Sequence, residues 1–124
     1  MSQVRLHAIA DIHLAAQPQV ADELCTFYGA VVGLEWVESD EHPGHLCFQT
    51  EQLQIRFELD ASATAQPAAR RATIIVPSLE RLRRQLDEHQ IPYEDYRGLD
   101  FSEQRVYVAD PAGHRIEFKQ VWPF

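Results

Sequence analysis

Three polar side chains stand inside segments that are otherwise apolar and extended. His13 lies in the run IADIHLA, Arg56 is the centre of IRF, and Glu117 is the centre of IEF. Strand alternation places the flanking apolar residues on one face of the strand and the central polar residue on the other. A neutral imidazole is a good ligand for Zn, Ni, Fe or Mn, and a carboxylate can bind such a cation or act as a general base. Arginine can do neither, because it stays protonated and only donates hydrogen bonds.

The elements that would position these side chains follow from the periodicity of the apolar residues. In the first half of the chain, alternation and turn residues predict four strands: 9–15, 34–38, 45–50 and 53–59. Between the first two strands, apolar residues recur from Val20 to Val31 at i, i+4, i+7 and i+11, which predicts a helix, and Gly33 supplies its stop.

The same order of elements begins again after residues 60–70, a polar and alanine-rich segment that we interpret as a linker. The second half predicts four more strands: 72–76, 93–96, 105–109 and 115–120. Ser78 is expected to cap a helix whose apolar positions are Leu79, Leu82 and Leu86. The turn Asp110-Pro111-Ala112-Gly113 joins the last two strands.

This repeat predicts an α+β fold in which tandem βαβββ modules form a curled mixed sheet around a cleft. The modules cover about 10–59 and 71–120, and each is too small to bury a stable core alone. We therefore expect them to pack together as a single domain spanning residues 1–124. The concave face of such a sheet is a natural ligand pocket.

Composition excludes several classes of partner. The 124 residues carry eleven Lys and Arg against nineteen Asp and Glu, a net charge of −8 that would repel nucleic acid. The apolar runs are too short to span a bilayer, and the N-terminus lacks the pattern of a signal peptide, so we expect no membrane partner and a cytoplasmic location. Cys25 and Cys47 show no metal spacing and are expected to be free thiols.

Specific motifs resemble a known superfamily. His13, Phe27-Tyr28 and Gly33-Leu34 resemble the opening of a vicinal oxygen chelate domain, and residues 110–118 (DPAGHRIEF) resemble its closing motif, DPxGxxIE[FL]. The resemblance covers about residues 10–120 and implies the tandem βαβββ fold and a homodimer. The superfamily includes glyoxalase I, extradiol dioxygenases, fosfomycin resistance enzymes and metal-free bleomycin-binding proteins, so the resemblance does not by itself select a function.

The resemblance also implies four cleft positions, on the first and last strand of each module, where metal-using members place their ligands. His13 and Glu117 match the first and the last of these positions. Counting along the second module puts Arg71 at the usual second histidine. Aligning IRF with IEF makes Arg56 the residue of the first module that is equivalent to Glu117. Two ligands are too few, since catalytic zinc normally has three protein ligands. We expect no cofactor; the alternative is a divalent metal (Zn, Ni, Fe or Mn) with a third ligand from Glu58, His45 or His114.

Three roles remain open for Arg56 and Arg71. Either could form an ion pair with Glu117 and fill the position of the cation, hold an anionic ligand, or face solvent. Phe48 and Tyr107, on matching strands of the two modules, and Trp36, near the cleft mouth, are expected to line the pocket unless they are core residues.

The leading hypothesis is a glyoxalase-like small-molecule-binding protein or enzyme with a degenerate metal site. Arg56 and Arg71 would pair with Glu117 or with an anionic ligand, and Glu117 would be the general base if the protein is catalytic. One alternative is a divalent-metal-dependent lyase, isomerase or dioxygenase that uses His13 and Glu117. The other is a metal-free resistance protein that sequesters a drug.

Overall fold

The computed structural model describes residues 10–38, 44–51, 53–63, 71–97 and 104–120. The strands in these ranges are β1 (Ala10–Ala16), β2 (Glu35–Val37), β3 (His45–Gln49), β4 (Leu53–Leu59), β5 (Arg71–Val76), β6 (Glu94–Tyr96), β7 (Arg105–Ala109) and β8 (Arg115–Gln120). Both ends of each strand lie within one residue of the ends predicted from the sequence. Most of the linker predicted at 60–70 lies outside the described residues.

Helix α1, residues 18–32, changes its winding along its length. A 3₁₀ turn at Pro18–Val20 leads into an α-helical turn at Ala21–Leu24 and then into a π-helical segment at Cys25–Val32. Gly33 follows with a φ of 93°, a left-handed conformation that residues with a Cβ rarely adopt, so the predicted stop is confirmed. The sequence did not predict the wider winding, because its apolar spacing fits an α-helix.

Helix α2 spans Leu79–Glu88 and confirms the predicted cap and apolar stripe. The Arg81 amide donates a hydrogen bond to the Ser78 hydroxyl oxygen at 3.1 Å, which satisfies one of the free N–H groups of the first turn. The three leucines at positions 79, 82 and 86 are buried. No helix in the described part of the chain is long and apolar enough to cross a membrane.

The eight strands form two open four-stranded mixed sheets with the same topology. The strand orders are β1-β4-β3-β2 and β5-β8-β7-β6. In each sheet the first and last strands of the module pair in parallel, and the remaining pairs are antiparallel. The predicted α+β fold of tandem βαβββ modules is therefore confirmed, and β1 and β5 each lie at an edge of their sheet.

The core lies between the helices and one face of each sheet. Phe57 in β4 and Phe118 in β8 are fully buried there. Two adjacent aromatic residues of α1 contact both sheets: the Tyr28 ring centroid lies 5.3 Å from that of Phe57, and the Phe27 centroid lies 6.5 Å from that of Phe118. By alternation, the faces that carry Arg56 and Glu117 point away from this core.

A buried group of hydrogen bonds, here called the clasp (Ala15, Tyr28, Asp110 and His114), joins the two modules. The Tyr28 hydroxyl donates to Asp110 Oδ2 at 2.5 Å, and His114 Nε2 lies 2.7 Å from the Ala15 carbonyl oxygen. The His114 amide also donates to Asp110 Oδ1 at 2.9 Å. Burial raises the pKa of Tyr28 well above its usual value, and the negative charge of the neighbouring Asp110 raises it further. The phenol therefore stays protonated and remains a donor.

Candidate functional site

The outer face of the first sheet brings together the first half-site, defined here as Asp11, His13, Cys47 and Arg56. The register pairs His13 with Arg56 and Arg56 with Cys47. Cross-strand partners share a face, so these side chains lie on the side away from the core. The Arg56 Nη2 lies 2.5 Å from His13 Nε2.

The His13 ring nitrogen has two competing neighbours. Its Nε2 lies close to Arg56 and also 2.9 Å from Asp11 Oδ1. An arginine only donates, so the Arg56 contact requires an unprotonated Nε2, whereas the Asp11 contact requires a protonated one. When Arg56 donates to His13, it occupies the lone pair that a metal ion would need.

Cys47 completes the first half-site without supplying a nucleophile. Its thiol is buried and free. Burial raises the pKa of Cys47, and the nearby positive charge of Arg56 offsets only part of that increase. The thiolate is the reactive form of cysteine, so a protonated buried thiol is inert. Cys25 is also free, as predicted.

The outer face of the second sheet holds the second half-site, defined here as Thr73, Arg105, Tyr107 and Glu117. Thr73 and Tyr107 are the two strand neighbours opposite Glu117. The Thr73 hydroxyl donates to Glu117 Oε1 at 2.8 Å, and the Tyr107 hydroxyl donates to Oε2 at 3.0 Å. Arg105 Nε lies 3.1 Å from the same Oε2, and only 15% of the Glu117 side chain is exposed.

These contacts lower the pKa of Glu117. Burial alone would raise it, but the hydrogen bonds from Thr73 and Tyr107, together with the positive charges of Lys119 and Arg105, outweigh burial. Glu117 is therefore ionised at neutral pH and is a weak base. General-base catalysis works best when the pKa lies near the working pH, which argues against the general-base role considered for Glu117.

The structure corrects the register of the second module. Thr73, and not Arg71, stands opposite Glu117, while Arg71 pairs with Arg115 two residues away. Counting from the end of the strand failed because pairing with β8, rather than the strand end, sets the register. The side chain of Arg71 lies outside the described structure.

Of the two arginines expected to pair with Glu117, Arg56 instead contacts His13 in the other module, and the side chain of Arg71 lies outside the described structure. The arginine that forms an ion pair with Glu117 among the described residues is Arg105. The sequence contained a usable signal for this pair, because strand alternation puts Arg105 on the same face as Tyr107. The four positions implied by the resemblance are therefore His13, Arg56, Thr73 and Glu117.

Two of the three aromatic residues expected in the pocket lie elsewhere. Phe48 is fully buried, and its ring centroid lies 5.5 Å from that of Tyr28 in the core. Trp36 pairs with Phe48 and so shares the core-side face, where it is 53% exposed at the sheet edge. Phe48 is therefore not the counterpart of Tyr107 in the first module. Tyr107 stands opposite Glu117, and the β3 residue that stands opposite Arg56 in the same way is Cys47.

These residues do not fit a four-ligand metal centre. Arg56 cannot bind a cation, and threonine at position 73 replaces a strong ligand with a neutral hydroxyl. Within the described ranges, no group of three His, Cys, Asp or Glu side chains could hold a metal ion. His114, one of the suggested third ligands, instead contacts the Ala15 carbonyl in the clasp.

Comparisons with known proteins support the fold. No family model matches the sequence, and no curated protein matches it. A glyoxalase family protein from Bacillus anthracis superposes with a TM-score of 0.78 at 22% identity, over 98% of this chain and 100% of that chain. Lactoylglutathione lyase from Agrobacterium tumefaciens gives a TM-score of 0.68 at 24% identity, over 94% and 97% of the two chains.

A third solved structure contains ligands. It is a variant of a fosfomycin resistance protein from Listeria monocytogenes in complex with Mn(II) and a dihydroxypropylphosphonic acid. It superposes with a TM-score of 0.72 at 10% identity, over 95% of each chain. The chain therefore has the fold of the vicinal oxygen chelate superfamily, and at these identities the likeness concerns the fold alone.

Proposed function

We propose that the protein binds a small anionic molecule in a glyoxalase-like cleft, with Arg56 as the positive charge that holds it and without a four-ligand metal centre. The supporting observation is the environment of Arg56. It occupies a position at which the resemblance leads us to expect a metal ligand, and its guanidinium contacts His13. A fixed positive charge thus stands where metal-using members of the superfamily would hold a cation.

The two half-sites use their arginines differently. Arg105 is neutralised by Glu117 at 3.1 Å. Arg56 has no carboxylate within ion-pair distance in the described part of the chain; its polar neighbour is the His13 ring. A half-buried guanidinium without a counter-ion is suited to a carboxylate or phosphate, which it can contact with two parallel N–H groups.

Binding is better supported than catalysis or capture of a cationic drug. The lowered pKa of Glu117 makes this carboxylate a poor proton acceptor. A cationic ligand would meet the unneutralised charge of Arg56 at the first half-site. In the fosfomycin resistance protein with this fold, the bound organic molecule is a small phosphonic acid, which is the class of ligand proposed here.

A thermal-shift titration with inorganic phosphate and acetate tests this proposal. A ligand that binds only the folded state raises Tm in proportion to ln(1 + [L]/Kd), so millimolar anion is expected to stabilise the protein. The Arg56→Gln variant should lose that shift. The matched control is Arg84→Gln, which removes an exposed arginine on α2 that lies 3.6 Å from Glu80. Equal anion-induced shifts in the parent and in Arg56→Gln would contradict the proposal.

Elemental analysis of tag-free protein separates this proposal from the metal-dependent alternative. We expect less than stoichiometric Zn, Ni, Fe and Mn, and no uptake in a divalent-ion titration. A near-stoichiometric metal would overturn the assignment of Arg56 to anion binding, because two positive charges would then compete for one site.

The proposed assembly is a homodimer. The edge strands β1 and β5 carry backbone groups on one side that no strand in the described sheets pairs with. An unpaired strand edge is a template on which a strand of another chain can pair. Light scattering coupled to size exclusion should give twice the monomer mass of 14.3 kDa. The cytoplasmic location remains a prediction from the sequence.

A further inference from the structure

A cavity of about 290 Å³ lies beside the second half-site, between β6, β7 and the start of β8. Its walls include Pro92, Tyr93, Glu94, Tyr107, Val108 and Arg115. The register places Glu94 opposite Tyr107, so the cavity opens on the outer face of the sheet. Its volume is just below the range of ordinary ligand pockets, roughly 300–1,000 Å³, which suits a compact molecule with a single ring.

Arg115 is the cationic group of this cavity. Its Cζ lies 5.0 Å from the centroid of the Tyr107 ring, so the guanidinium stacks on an aromatic wall. Its Nη2 donates to Glu94 Oε2 at 2.8 Å. Its Nε is buried and has no acceptor among the described residues. Buried N–H groups are almost always satisfied, so this Nε–H, which lies beside the cavity, is placed to donate to a molecule bound there.

Glu94 accepts only one of the hydrogen bonds that the Arg115 guanidinium can donate. The Glu94 side chain is 68% exposed and contacts a single terminal nitrogen of the guanidinium. Exposed ion pairs of this kind contribute little stability. A carboxylate from a ligand that contacted Nε together with a terminal nitrogen would form the two-bond arrangement that Glu94 does not make.

We propose that this cavity binds a small monocyclic aromatic carboxylic acid, whose carboxylate replaces Glu94 on Arg115 and whose ring packs against Tyr93 and Pro92. The aromatic and proline walls favour a flat apolar ring over an aliphatic chain. This site requires neither Arg56 nor His13, so it goes beyond the anion site of the proposed function.

Titration of ¹⁵N-labelled protein with benzoate, followed by two-dimensional NMR, tests the proposal. Benzoate is expected to shift the amide signals of residues 93–94, 107–109 and 115. Benzyl alcohol, which has the same ring without the charge, should bind about tenfold more weakly. Equal affinity for the two compounds, or benzoate shifts confined to other residues, would overturn the proposal.

Variants at the cavity identify the groups that bind. Arg115→Gln is expected to weaken benzoate binding about tenfold, whereas Glu94→Gln should strengthen it several-fold by removing the competing carboxylate. Arg115→Lys keeps the positive charge but loses the paired N–H groups of the guanidinium, so this variant should also bind benzoate more weakly. It replaces Arg115→Gln in the experiment if that variant fails to fold.

Arg84→Gln on α2 serves as the control and should bind benzoate as the parent does. The benzoate-induced shifts of residues 93–94, 107–109 and 115 report on this cavity, whereas the phosphate-induced thermal shift and its loss in Arg56→Gln report on the first half-site, so the two proposals can fail separately. Unchanged affinity in both Glu94→Gln and Arg115→Lys would contradict the aromatic-acid site.

Discussion

The two half-sites occupy equivalent positions in the two modules but have opposite character. The matching residues are His13 and Thr73, Arg56 and Glu117, and Cys47 and Tyr107. In the first half-site an arginine faces outward with no counter-ion among the described residues, whereas in the second a carboxylate is enclosed by three donors. The repeated backbone fixes where side chains stand, and it leaves their charge free to diverge.

The largest expected effect is a gain in metal affinity when metal-ligating residues are introduced into both half-sites. The double variant Arg56→Glu with Thr73→His would place two histidines and two glutamates at the four positions. We expect its affinity for Zn or Mn to exceed that of the parent by at least about 100-fold, since even outer-shell partners change metal affinity by 10- to 100-fold. Isothermal titration calorimetry measures this directly.

The matched control for that variant is Arg56→Glu with Arg71→His, which places the new histidine two residues out of register. It should bind metal no better than Arg56→Glu alone. If both double variants behaved like the parent, the two half-sites would not contribute to a common site in the folded assembly.

The next largest effect is on stability and is confined to the second half-site. Glu117→Gln keeps the shape of the side chain but replaces the charged acceptor of Thr73, Tyr107 and Arg105 with a neutral amide at a site where the Glu117 side chain is only 15% exposed. The expected loss is about 1–3 kcal/mol in the free energy of unfolding, measured by urea denaturation. An unchanged urea midpoint would show that the network around Glu117 does not stabilise the fold.

The parent and the Glu117→Gln variant should also differ in how their stability depends on pH. Because the folded pKa of Glu117 is lowered, its stabilisation is complete above the unfolded value, roughly 4.3, and is lost as the pH falls through the folded pKa. The stability difference between the parent and Glu117→Gln should therefore be constant at neutral pH and shrink below about pH 5. A difference that grew on acidification would mean that the pKa of Glu117 is raised.

The smallest effect is expected in the first half-site. Arg56→Gln removes a guanidinium whose polar contact within the described ranges is the exposed His13 ring, so stability should change by less than about 0.5 kcal/mol. Urea unfolding in ligand-free buffer checks this. A loss as large as that of Glu117→Gln would make the two half-sites equivalent structural networks and would end the contrast between them.

The sequence predicted the elements well and their register less well. Strands β4, β7 and β8 have the predicted bounds, because alternation and flanking turns identify them locally. Which residue faces which partner depends on pairing between strands. The run RATIIV contains no local signal that Thr73, rather than Arg71, stands opposite Glu117.

The pocket assignments failed for a related reason. In HLCFQ, both Cys47 and Phe48 are apolar and buried, so alternation does not show which one faces outward. The position of Glu117 was easier to predict, because a charged residue between two large apolar ones has only one favourable orientation. Sequence reasoning thus located the carboxylate but missed two of the groups that hold it, Arg105 and Thr73.

The clasp has a consequence for how such repeated proteins can evolve. A module that lacks either the Tyr28 hydroxyl or the Asp110 carboxylate would leave the other group buried without its partner. Exchange at the boundary between the modules is therefore tolerated only when the incoming module carries the matching residue. The clasp thus constrains the junction of the two halves, and it places no such constraint on the residues of their outer faces.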